Sequence, residues 1–211
     1  MKILSLPPLA IMMALSAILG FAILGQPAQA ADPAAPAQID DALVAQMREI
    51  ASHSTVLISI KAQNERHEAL AQADIDALDK QWVEQRKSDN QPLIAQVLGS
   101  PLSGYLIRQM AQSRGLFVEM FVMDNKGLNV GQSSITGDYW QGDEAKYQKT
   151  FMVGPDAVFI DDEIVVEKGT GHRLQQVNFT IKNPADGTPA GAITVEVDLD
   201  MLAMRRQQAA R

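Results

Sequence analysis

From Ile39 onward the apolar positions Leu43, Met47, Ile50 and Leu57 recur at helical intervals, with Asp40, Asp41, Arg48 and Glu49 between them. Such a stripe predicts an amphipathic helix, favoured at its N-terminus by the two aspartates and continuing through Val56, Ile58 and Ile60 to about Leu70. Asp74 or Asp76 then caps a second helix carrying Leu78, Trp82 and Val83. Two shorter helices, Pro92 to Leu98 and Pro101 to Gln112, each open on a proline, which a first helical turn tolerates. Gly115 closes the helical half.

The period then changes. Leu116 to Met123 (LFVEMFVM) is a nearly continuous apolar run, and Asp124-Asn125-Lys126-Gly127 predicts a hairpin turn into Leu128 to Gln132. Val177, Phe179 and Ile181 alternate with polar neighbours, as do Ile193, Val195, Val197 and Leu199, so both segments read as half-buried strands joined across Asn183 to Gly187. Ala157 to Ile160 and Ile164 to Glu167 supply further strand material around Asp161-Asp162. Helices followed by an antiparallel run predict an α+β fold, a long N-terminal helix packed on a five-stranded antiparallel sheet. The other sheet face is then either wet or the floor of a pocket.

Ahead of these elements the chain is uncharged from Ile3 to Gly25 and presents Ala28-Gln29-Ala30, the pattern of a secretory signal peptide over residues 1–30. The length of the run also suits an uncleaved inner-membrane anchor, since roughly 20 apolar residues span a bilayer. Residues 31–38 (ADPAAPAQ) form a Pro/Ala linker, 39–204 a single domain, and 205–211 a polar tail. Without an output domain in the sequence, the expected route of action is through a partner such as a membrane receptor or sensor kinase. Removal of Lys2 with the leader takes the net charge from −7 to −8, which argues against nucleic acid as a partner. The absence of cysteine excludes a disulfide framework and thiol chemistry.

Catalytic patterns are missing. There is no Gly-x-Ser-x-Gly elbow, His53, His67 and His172 show no metal-ligand spacing, and Asp161-Asp162-Glu163 matches no calcium loop, reading instead as a solvated turn between strands. No enzymatic activity and no cofactor are expected. The distinctive stretch is Gly137 to Phe151, GDYWQGDEAKYQKTF, where Tyr139 and Trp140 stand among Asp138, Asp143, Lys146 and Tyr147. Aromatics that exclude water beside charges that fix orientation suit a small polar ligand. From the residues alone, a loop whose Trp140 plugs the end of the core is the reading favoured over a ligand site.

From Phe117 to Leu202 the order of features resembles a Cache domain, the PAS-like extracytoplasmic sensor fold of bacterial chemoreceptors and sensor kinases. The residues carrying the resemblance are the long helix, VMDNKGLNV, the Asp-Tyr-Trp loop, the strand near Phe159-Ile160-Asp161, and GTPAGAITVEVDLDML. The resemblance implies a periplasmic domain that binds a small polar metabolite under the loop from Asp138 to Tyr147. Tyr139 and Trp140 would be its aromatic walls, Asp143 an ammonium partner, and Lys146 a receiver for an acid. Gly137 stands where many members carry an arginine that clamps an amino-acid carboxylate, so the charge of the ligand stays open. The stripe from Leu43 to Leu57 is longer than a small sheet can cover, which suggests pairing with a second copy through the first helix.

Overall fold

The computed structural model describes residues 38–211, all of them within the second of the chain's two units, Pro36–Arg211. The leader, its cleavage site and the linker up to residue 37 lie outside the described residues. Among the described residues no helix is long and apolar enough to cross a membrane.

Five helices lead. α1 (Asp41–Ala51) and α2 (Ser54–His67) occupy the span predicted as one long helix, and the interruption has local causes. Ser52 turns its hydroxyl onto the Glu49 carbonyl at 2.9 Å, and His53 accepts the Thr55 N–H on Nδ1 at 3.2 Å. Short polar side chains thus offer the backbone an alternative to the helical ladder. The break re-phases the stripe: Leu43, Met47 and Ile50 of α1 and Val56 and Ile60 of α2 all enter the main core, while Ile58 is left 66% exposed. Most of the apolar face that suggested pairing with a second copy thus packs into the chain's own core, with Leu57 at its end only partly buried. α3 (Gln72–Gln85), α4 (Pro92–Leu98) and α5 (Pro101–Gln112) follow, with Asp74 accepting the Ala71 N–H in the first turn of α3.

β1 (Phe117–Met123), β2 (Asn129–Gln132), β3 (Val158–Val166), β4 (Arg173–Lys182) and β5 (Pro189–Asp198) form one antiparallel sheet in the order β2-β1-β5-β4-β3. This is the expected α+β arrangement. A short helix, α6 (Ala145–Gln148), interrupts the connection from β2 to β3. Two expectations change. Asp161-Asp162-Glu163 is not a turn between strands but an irregularity inside the continuous β3, where the register with β4 shifts between Ile160 and Ile164. The tail from residue 205 belongs to a helix, α7 (Leu199–Ala209), which Asp198 caps by accepting the N–H groups of Asp200 and Met201.

Register decides the two faces, because directly paired residues share one. Val195 lies between Met120 and Val177, and Ile193 between Val122 and Phe179, which builds the apolar layer under α1, α2 and α5. The intervening positions face the other way: Glu196 pairs with Glu119 and Gln176, and Thr194 with Phe121 and Asn178.

Candidate functional site

That second face is the floor of the site. A polar face in a sheet interior must be hydrogen-bonded or wet. Around Asn178 it is closed by internal hydrogen bonds: Asn178 accepts the Thr194 hydroxyl at 2.7 Å and donates to the Phe159 carbonyl at 3.2 Å. Elsewhere it opens beneath the β2–β3 connection, over residues of β1, β3, β4 and β5, into two adjoining hollows that share Lys146 and Gln176. One, of about 190 Å³, is lined by Glu144, Lys146, Asp161, Glu163, Gln176 and Glu196 among others. Its neighbour, of about 210 Å³, is lined by residues that include Glu119, Phe121, Thr136, Asp138, Gln141 and Lys146. Drug-sized ligands occupy roughly 300–1,000 Å³, so a small metabolite is the scale that fits.

The upper wall is held by α3. Asp79, Trp82 and Arg86 lie along one side of that helix, and all three bond to residues 136–140. Asp79 Oδ1 accepts the N–H groups of Tyr139 and Trp140 at 2.8 and 2.9 Å, Trp82 Nε1 donates to the Thr136 carbonyl at 3.1 Å, and Arg86 donates to the Gly137 carbonyl at 2.8 Å. Asp124, fully buried in the β1–β2 turn, braces the other end by accepting from Gln63, His67 and the Lys126 and Leu128 N–H groups.

Within the cleft the charges are unequal. Lys146 Nζ sits 2.6 Å from Glu144 and 3.3 Å from Gln141 Oε1, so its charge is matched by its own loop. Burial holds the Glu196 carboxyl above its ordinary pKa, and the like charge of Glu119 adds to the effect, while a hydrogen bond from Gln176 opposes it.

Only part of the expected residue set meets here. Asp138 and Lys146 line the cleft. Tyr139 turns away: it is 4% exposed and stacks on Trp82 at 5.4 Å, inside a second small core with Ile75, Ile94, Val97 and Leu128. Trp140 packs at the edge of that core and donates from Nε1 to the Lys126 carbonyl at 2.8 Å. Its ring lies where a side chain on Gly142 would stand, and a side chain on Gly127 would meet the Gly142 backbone, so both positions need glycine, Gly127 also for its φ of 84°. Tyr147 stacks on Phe151 at 5.0 Å and donates to the Asn125 carbonyl, packing under Phe121 and Met123. Asp143 is exposed and offers the cleft nothing but a carbonyl bonded to Gln148. The aromatic walls expected from the loop are thus structural plugs. The residues missed were Glu119, Gln176 and Glu196, whose signal is a polar side chain on the alternate face of an otherwise apolar strand.

No family model and no curated protein matches the chain. Solved structures do match. The ligand-binding domain of the Pseudomonas aeruginosa PAO1 amino acid chemoreceptor PctC, in complex with GABA, is 17% identical over 75% of this chain and 62% of its own, with a TM-score of 0.38. A domain of a sensory box/GGDEF family protein from Vibrio parahaemolyticus is 11% identical over 77% and 54%, with a TM-score of 0.41. The sensor domain of Escherichia coli DcuS is 16% identical over 63% and 96%, with a TM-score of 0.34. The chain spans less than two thirds of the length of the first two. The sensor domain of the Vibrio cholerae histidine kinase DctB is a further match, 14% identical over 68% of this chain and 56% of its own, with a TM-score of 0.32.

Proposed function

We propose that the protein is a periplasmic sensor-type domain that binds a small polar metabolite in the cleft between the second sheet face and the β2–β3 connection, without converting it. Its leader is cleaved after Ala30, and occupancy of the cleft is passed to a membrane receptor or sensor kinase. The observation that carries this reading is the cleft itself: polar side chains from β1, β3, β4, β5 and the connection converge on unfilled volume. A structural module that had lost its ligand would fill that volume with side chains, as the rest of the face does.

The test is a thermal-shift screen of small metabolites. A ligand at 100 times its Kd adds about 2.7 kcal/mol of stability, which raises Tm by roughly 5–11 °C at 2–4 °C per kcal/mol for a chain of this size. A true cleft ligand loses its effect in Gln176→Ala, since Gln176 belongs to both hollows. The reading fails if no metabolite shifts Tm, or if every hit acts equally on that variant.

A further inference from the structure

We infer that His172 is a proton-controlled latch on α7: protonated, it holds the helix against the end of the sheet, and neutral, it lets the helix loosen. This is a regulatory device of the domain and holds whether or not the cleft takes a ligand.

α7 is strapped across one end of the domain, and its first turn is gripped by two consecutive residues at the start of β4. His172 Nδ1 lies 2.5 Å from Asp198 Oδ2. Arg173 gives its backbone N–H to Asp200 Oδ2 at 2.8 Å and its guanidinium to the same carboxylate. Asp198 is buried, and its other oxygen caps the helix by accepting the Asp200 and Met201 N–H groups at 3.0 and 2.8 Å. Further along, Arg205 donates to the Ser113 and Arg114 carbonyls just past α5. Arg206 donates to the Gln38 carbonyl and pairs with Asp40, the N-cap of α1. The helix therefore ties the sheet to the start of α1 and the end of α5.

Among the cations of this strap only His172 changes charge between pH 5 and 8, because arginine stays protonated throughout. Its side chain is 41% exposed, so solvent protons reach it, whereas that of Asp198 is 7% exposed and has little water to take the place of a lost partner. The charged groups around His172 are Asp198 at the end of β5, Asp200 of α7, Glu167 of the β3–β4 turn, and its chain neighbour Arg173, which Asp200 matches. Three carboxylates favour the imidazolium, so the latch is complete below pH 6.5 and is lost as pH rises through the raised value. Above that value Asp198 keeps its two cap donors but at most a neutral hydrogen bond from the ring, which is the weaker kind.

Hydrogen exchange of the full chain between pH 5.5 and 8.5 tests the latch, with each amide's rate referred to its unprotected rate at that pH. The protection of α7 amides from Asp200 to Arg206, taken relative to those of β5, is expected to fall about threefold or more across this range, the scale of a partly exposed ion pair. In His172→Gln, which keeps a hydrogen-bonding side chain without a charge, the ratio stays at the low value at every pH. In His172→Lys, which stays charged, it stays near the high value. Arg173→Gln lowers the ratio at both ends of the range and keeps the step, because the charge it removes does not titrate there. A parent ratio that does not fall with pH overturns the inference, and so does a step that survives in His172→Gln or in His172→Lys.

Discussion

Asp79→Ala tests how the cleft wall is held. In the parent, one carboxylate oxygen accepts two backbone N–H groups, from Tyr139 and Trp140, at 2.8 and 2.9 Å. Hydrogen bonds to a charged group contribute about 1.5–3 kcal/mol each. Asp79 is half-buried, so water replaces part of what is lost, and about 2–4 kcal/mol is the expected cost of removing both. At 2–4 °C per kcal/mol that is a fall in Tm of roughly 4–16 °C. Asp79→Asn keeps an acceptor oxygen without the charge and should recover about half of the loss. Hydrogen exchange at the Tyr139 and Trp140 amides, followed beside the melting curves, locates the effect, because these two groups lose their acceptor while the strand amides of β5 keep theirs. A fall below 1 kcal/mol with unchanged exchange at both amides would refute the view that α3 clamps the connection.

Three other expectations follow from particular contacts. Tyr139→Ala should cost about 3–5 kcal/mol, as aromatic truncations in cores do, while the Kd of a cleft ligand stays within twofold for the folded fraction; a tenfold loss of affinity would return Tyr139 to the pocket wall. The Asp198 hydrogen bond and charge hold the His172 pKa above its ordinary 6.5, so its contribution to stability is complete below pH 6.5 and lost as pH rises through the elevated value. His172→Gln should therefore flatten the Tm profile above pH 6.5, and a variant profile parallel to the parent's counts against the pairing. Mass spectrometry of the exported protein is expected to find Ala31 as its first residue, and an intact Met1 in a membrane fraction would replace cleavage with anchoring.

The alternation and helical periods along the chain carry most of the fold. Pro92 and Pro101 mark helix starts correctly because a first-turn proline is a local constraint, and the β4–β5 hairpin is legible because alternation against a turn needs no tertiary information. α7 was available too: Asp198 before Leu199 and Leu202, with Arg205 and Arg206 in the following turns, is a capped helix written in sequence. The break between α1 and α2 was harder, since it rests on two side-chain-to-backbone bonds that compete with an uninterrupted apolar stripe.

The candidate site divides the same way. Sequence identified the connection from Asp138 to Tyr147 as the unusual segment, and that segment does roof the cleft. It did not reveal which side chains face inward, because an irregular loop has no period from which orientation can be read. Tertiary structure decided that: α3 supplies Trp82 as a stacking surface for Tyr139, Gly142 leaves a seat for Trp140, and both aromatics turn away from the sheet. What remains to line the cleft is chiefly the polar side of the sheet. Glu119, Gln176 and Glu196 lie 57 and 20 residues apart in the chain, and only the pairing register of three strands makes them neighbours.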